Sequence, residues 1–119
     1  MENSLHPIIS IRFFTDRKCF GPGVAELLHR VELHHSLRAA AASMEMAYSK
    51  AWTIVRNAED CLGFKLLHSV SGGKNGGGAV LTPEGERLLA DYDAYCAQVR
   101  RQAEALFTEQ FRYLLEEDQ

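Results

Sequence analysis

Five polar side chains within nine residues could hydrogen-bond to base edges or to phosphate groups. They are Tyr48, Ser49, Lys50, Thr53 and Arg56. Lys and Arg bind guanine edges or phosphates, Ser and Thr reach either, and a Thr methyl group can contact thymine. This chemistry requires one exposed helix face that enters a DNA groove. In any other setting the same residues are an ordinary solvated surface.

A pair of helices joined by a tight turn is predicted to position these side chains. A first helix, Pro22–His34, precedes the pair and carries apolar residues at three- and four-residue spacing. Ser36 suits the N-cap of an Ala-rich helix, Leu37–Ser43, and Met44–Met46 forms the turn. In a helix-turn-helix the N-terminal part of the following helix enters the major groove.

The second helix of the pair covers about Ala47–Leu62. Gly63 lies just past its end, where a left-handed C-cap residue is expected. One face of the helix is apolar and holds Ala51, Trp52, Val55 and Ala58. We therefore predict that Trp52 belongs to the core and that the polar side chains occupy the rest of the surface.

A hairpin with a glycine-rich tip follows this helix. Two β-like runs, Phe64–Val70 and Ala79–Leu81, lie on either side of a seven-residue tip, residues 72–78, of which five are glycine. Such a tip lets the backbone approach a surface closely. We predict that Lys74 and Asn75 in the tip meet phosphate groups or the minor groove. Helix, turn, helix and hairpin is the order of a winged helix-turn-helix.

The chain begins and ends with further elements. Ile8–Thr15 is β-branched and aromatic and predicts a strand, with a short return strand at Cys19-Phe20. Thr82 and Pro83 match the start signals of a long final helix. A helix of about 33 residues would be roughly 50 Å long, against roughly 30 Å for a small domain. Its distal apolar stripe is therefore predicted to be a partner surface.

We accordingly expect one mainly α domain over residues 1–119 with a small β component. Residues 1–82 would form a DNA-binding core with the N-terminal strands, and residues 83–116 a long C-terminal dimerisation helix. A homodimer would be held together by apolar residues of that helix. The predicted interface residues are Tyr92, Val99, Leu106, Phe107, Phe111 and Leu114.

The net charge of −3 at first opposes nucleic-acid binding, but the charge is unevenly distributed. Residues 36–81 hold five bases, among them Arg38, and three acids, so this stretch is net positive. Arg38 is included in the predicted DNA surface for that reason. Acids concentrate near the C-terminus, away from the predicted DNA face.

Other functional classes find little support. Cys19, Cys61 and Cys96 are three in number and widely spaced, which favours free thiols over a disulfide or a zinc site. His34-His35 lacks further metal ligands at helical spacing, and no catalytic constellation can be assembled. We expect no enzyme activity, cofactor or metal. No membrane span or secretory signal is recognisable, so a cytoplasmic location is expected.

The central stretch resembles the N-terminal DNA-binding domain of the ModE molybdate-responsive transcription regulators and their stand-alone, LysR-type relatives. The similarity covers roughly residues 18–107. It rests on these runs: Phe20-Gly21-Pro22-Gly23, Ser36-Leu37-Arg38-Ala39-Ala40-Ala41, Tyr48 with Lys50-Ala51-Trp52, Ser71-Gly72-Gly73-Lys74, and Gly76-Gly77-Gly78-Ala79-Val80-Leu81-Thr82. Ser49 departs from the pattern, since the family usually has a basic residue after the Tyr.

The resemblance implies a dimeric, sequence-specific regulator that binds double-stranded DNA. The family's molybdate-binding module finds no counterpart in the 119 residues, so we expect no molybdate site here. A second hypothesis stays open, namely a winged-helix module that contacts proteins and has lost DNA binding. The net charge of −3 favours this alternative, and salt-dependent retention on DNA would discriminate between the two.

Overall fold

A computed structural model of the chain describes residues 4–70 and 78–116. Two short antiparallel strand pairs accompany helices in the order that the sequence predicts. The elements are β1 (Phe13–Phe14), β2 (Lys18–Phe20), α1 (Pro22–His34), α2 (Leu37–Ser43), α3 (Tyr48–Leu62), β3 (Leu67–Val70), β4 (Gly78–Leu81), α4 (Pro83–Gln110) and α5 (Arg112–Leu115). This arrangement confirms a winged helix-turn-helix with a long C-terminal helix.

Helices α1, α2 and α3 enclose the core. The largest fully buried side chains are Phe20, Leu27, Leu28, Leu66 and Val31. Alanines at the α2 contact keep the helices close together, since Ala40, Ala41 and Ala51 are all fully buried. The Ser36 hydroxyl accepts a hydrogen bond from the Ala39 N–H group, as predicted for the N-cap of α2.

The turn between α2 and α3 has one residue, Glu45, in the left-handed region with φ 56°. The Met46 N–H group donates to the Ala41 carbonyl at 2.9 Å and closes the turn. At the other end of α3, Gly63 is the left-handed C-cap with φ 88°. The start of α3 is therefore fixed by a tight turn and its end by a glycine, as the sequence predicts.

The prediction that Trp52 lies in the core is wrong. Ala51, Val55 and Ala58 are buried, whereas Trp52 is 41% exposed. Residues advance by about 100° around a helix, so Trp52 lies well to one side of the line through Ala51 and Val55. An apolar type at that position marks the edge of the buried face and not its centre.

Strands β3 and β4 pair antiparallel from Leu67 opposite Leu81 to Val70 opposite Gly78, and form the base of the wing. The buried carboxylate of Glu59 on α3 accepts hydrogen bonds from the Leu66 and Leu67 N–H groups at 2.8 and 3.2 Å. Glu59 therefore fixes the wing to the C-terminal half of α3.

The wing is also fixed at its other strand. The Ala79 N–H group donates to the His35 carbonyl at 3.1 Å. A Cβ atom on Gly78 would lie 2.5 Å from the same carbonyl oxygen, so only glycine permits this approach. Thr82 then caps α4, accepting from the Gly85 N–H group at 2.9 Å and donating to the Lys65 carbonyl at 2.6 Å.

The N-terminal strand is much shorter than predicted. Only Phe13 and Phe14 of the predicted run 8–15 pair with β2. Among the described residues, no strand lies beside residues 8–12. The Ile11 carbonyl instead accepts a hydrogen bond from the Tyr92 hydroxyl of α4 at 2.7 Å. β-Propensity alone could not indicate that the Tyr92 side chain, and not a neighbouring strand, would hydrogen-bond to the Ile11 carbonyl.

The expectation of three free thiols is also wrong. Cys19 and Cys61 form a disulfide, while Cys96 is free and buried. Cys19 and Cys61 are 42 residues apart in sequence, but β2 packs on α3 and brings their Cα atoms within 5.5 Å of each other. Sequence spacing alone carried no sign of this contact.

The final helix is long and interrupted once. Helix α4 has 28 residues, which corresponds to about 42 Å. It ends at Gln110, and the backbone of the next residue, Phe111, leaves the helical region before α5 begins at Arg112. The single helix predicted to about Leu115 is therefore broken near its end. The molecule measures 66 × 30 × 22 Å, because the distal part of α4 extends beyond the core.

Candidate nucleic-acid interface

Helix α3 presents a polar face to solvent. Ser49, Lys50, Thr53 and Arg56 are all exposed, on the side away from buried Ala51 and Val55. The Thr53 hydroxyl donates to the Ser49 carbonyl at 3.0 Å, which uses its proton within the helix. The Thr53 oxygen can still accept a hydrogen bond, and its methyl group can make an apolar contact. The structure thus brings these four predicted residues onto one accessible face.

Aromatic rings support two of the cations at this surface. The Arg38 guanidinium at the start of α2 lies over the Tyr48 ring, 4.1 Å from its centroid. The Arg56 guanidinium lies over the Trp52 ring at 4.5 Å. Stacking of this kind restricts the long side chain while leaving the N–H groups free to donate. Arg38 therefore joins the face of α3 although it belongs to another helix.

A groove separates α3 from the base of the wing. Its volume is about 640 Å³, and its walls combine aromatic, apolar and basic side chains. Tyr48 and Trp52 line the α3 side, and Lys65 and His68 line the wing side. The groove therefore continues the exposed face of α3 towards the wing.

The charges of this surface are largely uncompensated. In the described part of the chain, none of the ion pairs involves Arg38, Lys50 or Arg56. Glu59, a buried acid at this groove, accepts from two backbone N–H groups, and its carboxylate lies 3.7 Å from the Lys65 ammonium group. An anionic ligand would thus meet free cations and a carboxylate that is already engaged.

Lys74 and Asn75, the predicted contacts of the wing tip, lie outside the described residues. Trp52 and Glu59, in contrast, were not assigned to the site from sequence. The residue type of Trp52 suggests that it is buried. Only its position at the edge of the apolar stripe could have indicated that it is exposed. Glu59 shows no sequence signal, because its backbone partners are set by the tertiary fold.

The residues predicted for a dimer interface divide into two groups. Tyr92 is only 5% exposed and packs edge-on against Phe13 and Phe20, so the protomer itself accounts for its burial. The distal residues are much more accessible, with Leu106 66% and Leu114 49% exposed.

The described residues contain no group of three or more potential metal ligands. None of the helices in the same part of the chain is long and apolar enough to span a bilayer.

These features together define a winged helix-turn-helix protein of the kind found in bacterial regulators. Residues 25–86 match the model of the bacterial regulatory helix-turn-helix proteins of the lysR family. That match covers more than half of the chain, from α1 to the first turn of α4. The chain belongs to this family.

A molybdenum-pterin-binding protein and several transcriptional regulators are among its relatives. The chain is 42% identical over 66 residues to the molybdenum-pterin-binding protein MopB of Rhodobacter capsulatus, covering 56% of this chain and 24% of that protein. It is 34% identical over 82 residues to the DNA-binding transcriptional dual regulator ModE of Escherichia coli K12, covering 69% and 31%. The ModE regulator of Haemophilus influenzae is 36% identical over 72 residues, covering 60% and 28%.

These matches confirm the resemblance seen in the sequence. The chain spans less than a third of the length of each of these three relatives. The similarity therefore leaves most of each relative unmatched.

Proposed function

We propose that this chain is a sequence-specific regulator of transcription that binds double-stranded DNA, with α3 as its recognition helix. The observation that carries the proposal is the exposed face of Ser49, Lys50, Thr53 and Arg56, whose cations have no acidic partner among the described residues. The N-terminal half of α3 would read base edges in the major groove. Arg38 would bind a phosphate group beside it.

The wing would add contacts on the other side of the groove. Lys74 and Asn75 are proposed to meet the DNA backbone or the minor groove. Ser49 stands where related regulators usually have a basic residue, so the preferred base at that position should differ. The proposed role involves no catalysis, and a regulator of this bacterial type would meet its DNA in the cytoplasm.

Selection of bound sequences from a random DNA pool would identify the operator. Gel-shift titrations over a salt series would then test the assigned face. Lys50→Ala and Arg56→Ala should weaken binding, and Lys74→Ala should lower the salt slope by about one unit if it meets a phosphate. Arg101→Ala, on the exposed surface of α4, removes the same charge away from the assigned face and is the matched control. Unchanged binding in all three basic-residue variants would contradict the assigned DNA face.

We further propose that the protein acts as a homodimer through the distal part of α4 and α5. The exposed apolar side chains of that segment, together with half-buried Val99 and Phe107, form a stripe without a counterpart in the described protomer. Two copies related by a two-fold axis would cover it and place two recognition helices on half-sites about one DNA turn apart. Light scattering that gives only the monomer mass of 13.3 kDa at tens of micromolar would refute the dimer.

A protein-binding module remains the second candidate, favoured by the exposed Trp52 ring beside the groove and by the net charge of −3. Retention on a DNA column that falls steeply with salt supports the DNA-binding role. Absence of retention at low salt would favour the protein-binding role.

A further inference from the structure

Cys19 and Cys61 meet where β2 packs on the last turn of α3. Their Cα atoms are 5.5 Å apart, within the usual disulfide range of about 4.4–6.8 Å. The third cysteine, Cys96, is buried on α4 and free. Only one pair of cysteines among the described residues is therefore placed to form a bond.

The bond would enclose a particular part of the fold. Cys19 lies in β2, shortly before α1 begins at Pro22, and Cys61 lies in the final turn of α3. The closed loop consequently contains α1, α2 and nearly all of α3, while the wing and α4 lie outside it. The proposed DNA contacts of α3 are in its first nine residues, away from the linked end.

A small oxidant has access to the pair. Cys61 is half-buried, and the hydroxyl of exposed Thr15 lies 3.4 Å from its sulfur and 3.7 Å from that of Cys19. A cavity of about 340 Å³ reaches Cys19 and is lined by Arg17 and Lys18. These two cations would attract a low-molecular-weight disulfide that carries carboxylate groups.

We propose that Cys19 and Cys61 are a reversible oxidation site whose co-substrate is a low-molecular-weight disulfide such as oxidised glutathione. The Cys61 thiolate, on the more exposed residue, attacks one sulfur of the oxidant and releases one thiolate as leaving group. The Cys19 thiolate then attacks the Cys61 sulfur of the mixed disulfide and releases the second. Two protein thiols are oxidised, one small disulfide is reduced to two thiols, and the two protons pass through solvent to the leaving groups.

The consequence is redox-dependent stability of the helix-turn-helix. Closing a loop of this length restricts the unfolded chain, and the expected rise in melting temperature is on the order of 10 °C. The reduced protein keeps the same fold, because the core around Phe20 and Val55 does not depend on the bond. Oxidation would thus extend the temperature range over which the recognition helix stays ordered.

Peptide mapping of the full chain tests the proposal directly. Trypsin separates the cysteines into three peptides, residues 19–30, 57–65 and 88–100. After equilibration with reduced and oxidised glutathione, alkylation and digestion, we expect a linked 19–30/57–65 pair and an unlinked 88–100 peptide. Dithiothreitol added to the native protein should open the link and lower the melting temperature.

Single-cysteine variants complete the test. Neither measurement involves DNA, so failure of the redox proposal and failure of the proposed DNA-binding function can be told apart. Cys61→Ser, at the half-buried position, should fold and melt at the same temperature under both redox conditions, and Cys19→Ser should do likewise. The proposal is overturned if the linked pair is missing at every glutathione ratio, or if dithiothreitol fails to open it in the native protein. An equal oxidation-dependent shift in Cys61→Ser would overturn it as well.

Discussion

The two halves of α4 carry the same kind of apolar pattern but have opposite surroundings. In the proximal half, Leu89, Tyr92 and Cys96 are 3%, 5% and 6% exposed, and the helix start is capped by Thr82. In the distal half, Leu106 is 66% exposed, and Phe111, just beyond the helix, is 36% exposed. The first half has the core of its own protomer as partner, and the second has no partner in the described protomer.

This difference shows what helical periodicity can and cannot reveal. Apolar spacing identifies the side of a helix that must be covered. It does not identify the covering partner, because an intramolecular core and a second protein impose the same spacing. The distinction depends on the point at which the helix extends beyond the domain core. A helix of 28 residues is long enough to do so.

Identical truncations in the two halves should give the largest contrast. Leu89→Ala removes a buried side chain and should lower the free energy of unfolding by about 2–5 kcal/mol. Leu106→Ala should cost less than about 0.5 kcal/mol in dilute protein, where the chain is monomeric. Chemical denaturation at two protein concentrations measures both effects. Equal costs for the two variants at low concentration would show that the distal half is packed within the protomer.

Charge placed on the distal stripe should separate the dimer. Phe107→Asp combined with Phe111→Asp puts four like charges into one shared interface, and we expect dissociation to become at least about 100-fold easier, which is about 2.7 kcal/mol. The matched control, Ala105→Asp with Thr108→Asp, adds the same charge on another side of the helix. Light scattering should show the monomer mass only for the first pair. A monomer in both cases would mean that added charge itself, and not the stripe, controls assembly.

The two tyrosines Tyr92 and Tyr113 extend the contrast to alkaline pH. Burial, followed by a hydrogen bond with Cys96, raises the pKa of Tyr92 to about 12 from 10.0. Because the folded-state pKa is raised, the stabilising contribution is complete below pH 10 and is lost as the pH rises towards 12. The full loss should approach about 3 kcal/mol once the pH exceeds 12, since each of the two pKa units corresponds to about 1.4 kcal/mol.

Denaturation between pH 8 and pH 12 measures this slope. Tyr92→Phe should remove that part of the alkaline loss, although it also deletes the hydrogen bond to the Ile11 carbonyl and lowers stability at neutral pH. Tyr113→Phe, at a residue that is 71% exposed, is the matched control and should leave the slope unchanged. An unaltered slope in Tyr92→Phe would show that another group causes the loss.

The sequence allowed prediction of those features that depend on local chemistry. The bounds of α1 and α2, the Gly63 C-cap and the Thr82 N-cap follow from capping residues and apolar spacing within a few positions. Features set by the packing of one element against another were missed. The Cys19–Cys61 bond, the Glu59 contacts with the base of the wing and the hydrogen bond from Tyr92 to Ile11 are of this kind.

Within the candidate site the division is similar. The polar residue types of α3 predicted which side chains would be exposed, and the structure places Ser49, Lys50, Thr53 and Arg56 on one face. Trp52 was misplaced because its residue type suggests burial, whereas its angular position at the edge of the stripe decides its exposure. At Trp52 the residue type suggests burial and the angular position on the helix suggests exposure, and the angular position determines the outcome.

Helix α3 therefore shows the same contrast between a buried and an exposed apolar side chain as α4, since Val55 is buried and Trp52 is exposed. Trp52→Ala should cost only about 1 kcal/mol of stability, since much of its ring already contacts water. It should also weaken operator binding by about 1 kcal/mol, or roughly fivefold, because the Arg56 guanidinium loses the ring over which it lies. Thermal melting and gel-shift titration measure the two effects.

Two further variants separate these effects. Trp52→Phe retains an aromatic ring for Arg56 and should recover most of the affinity, whereas Val55→Ala should lower stability more than Trp52→Ala and leave affinity nearly unchanged. Arg56→Ala combined with Trp52→Ala should cost less affinity than the sum of the two single changes, because both act through the same contact. Additive losses would mean that Trp52 touches DNA independently of Arg56. A stability loss of 3–5 kcal/mol in Trp52→Ala would instead return the ring to the core and contradict its exposed position.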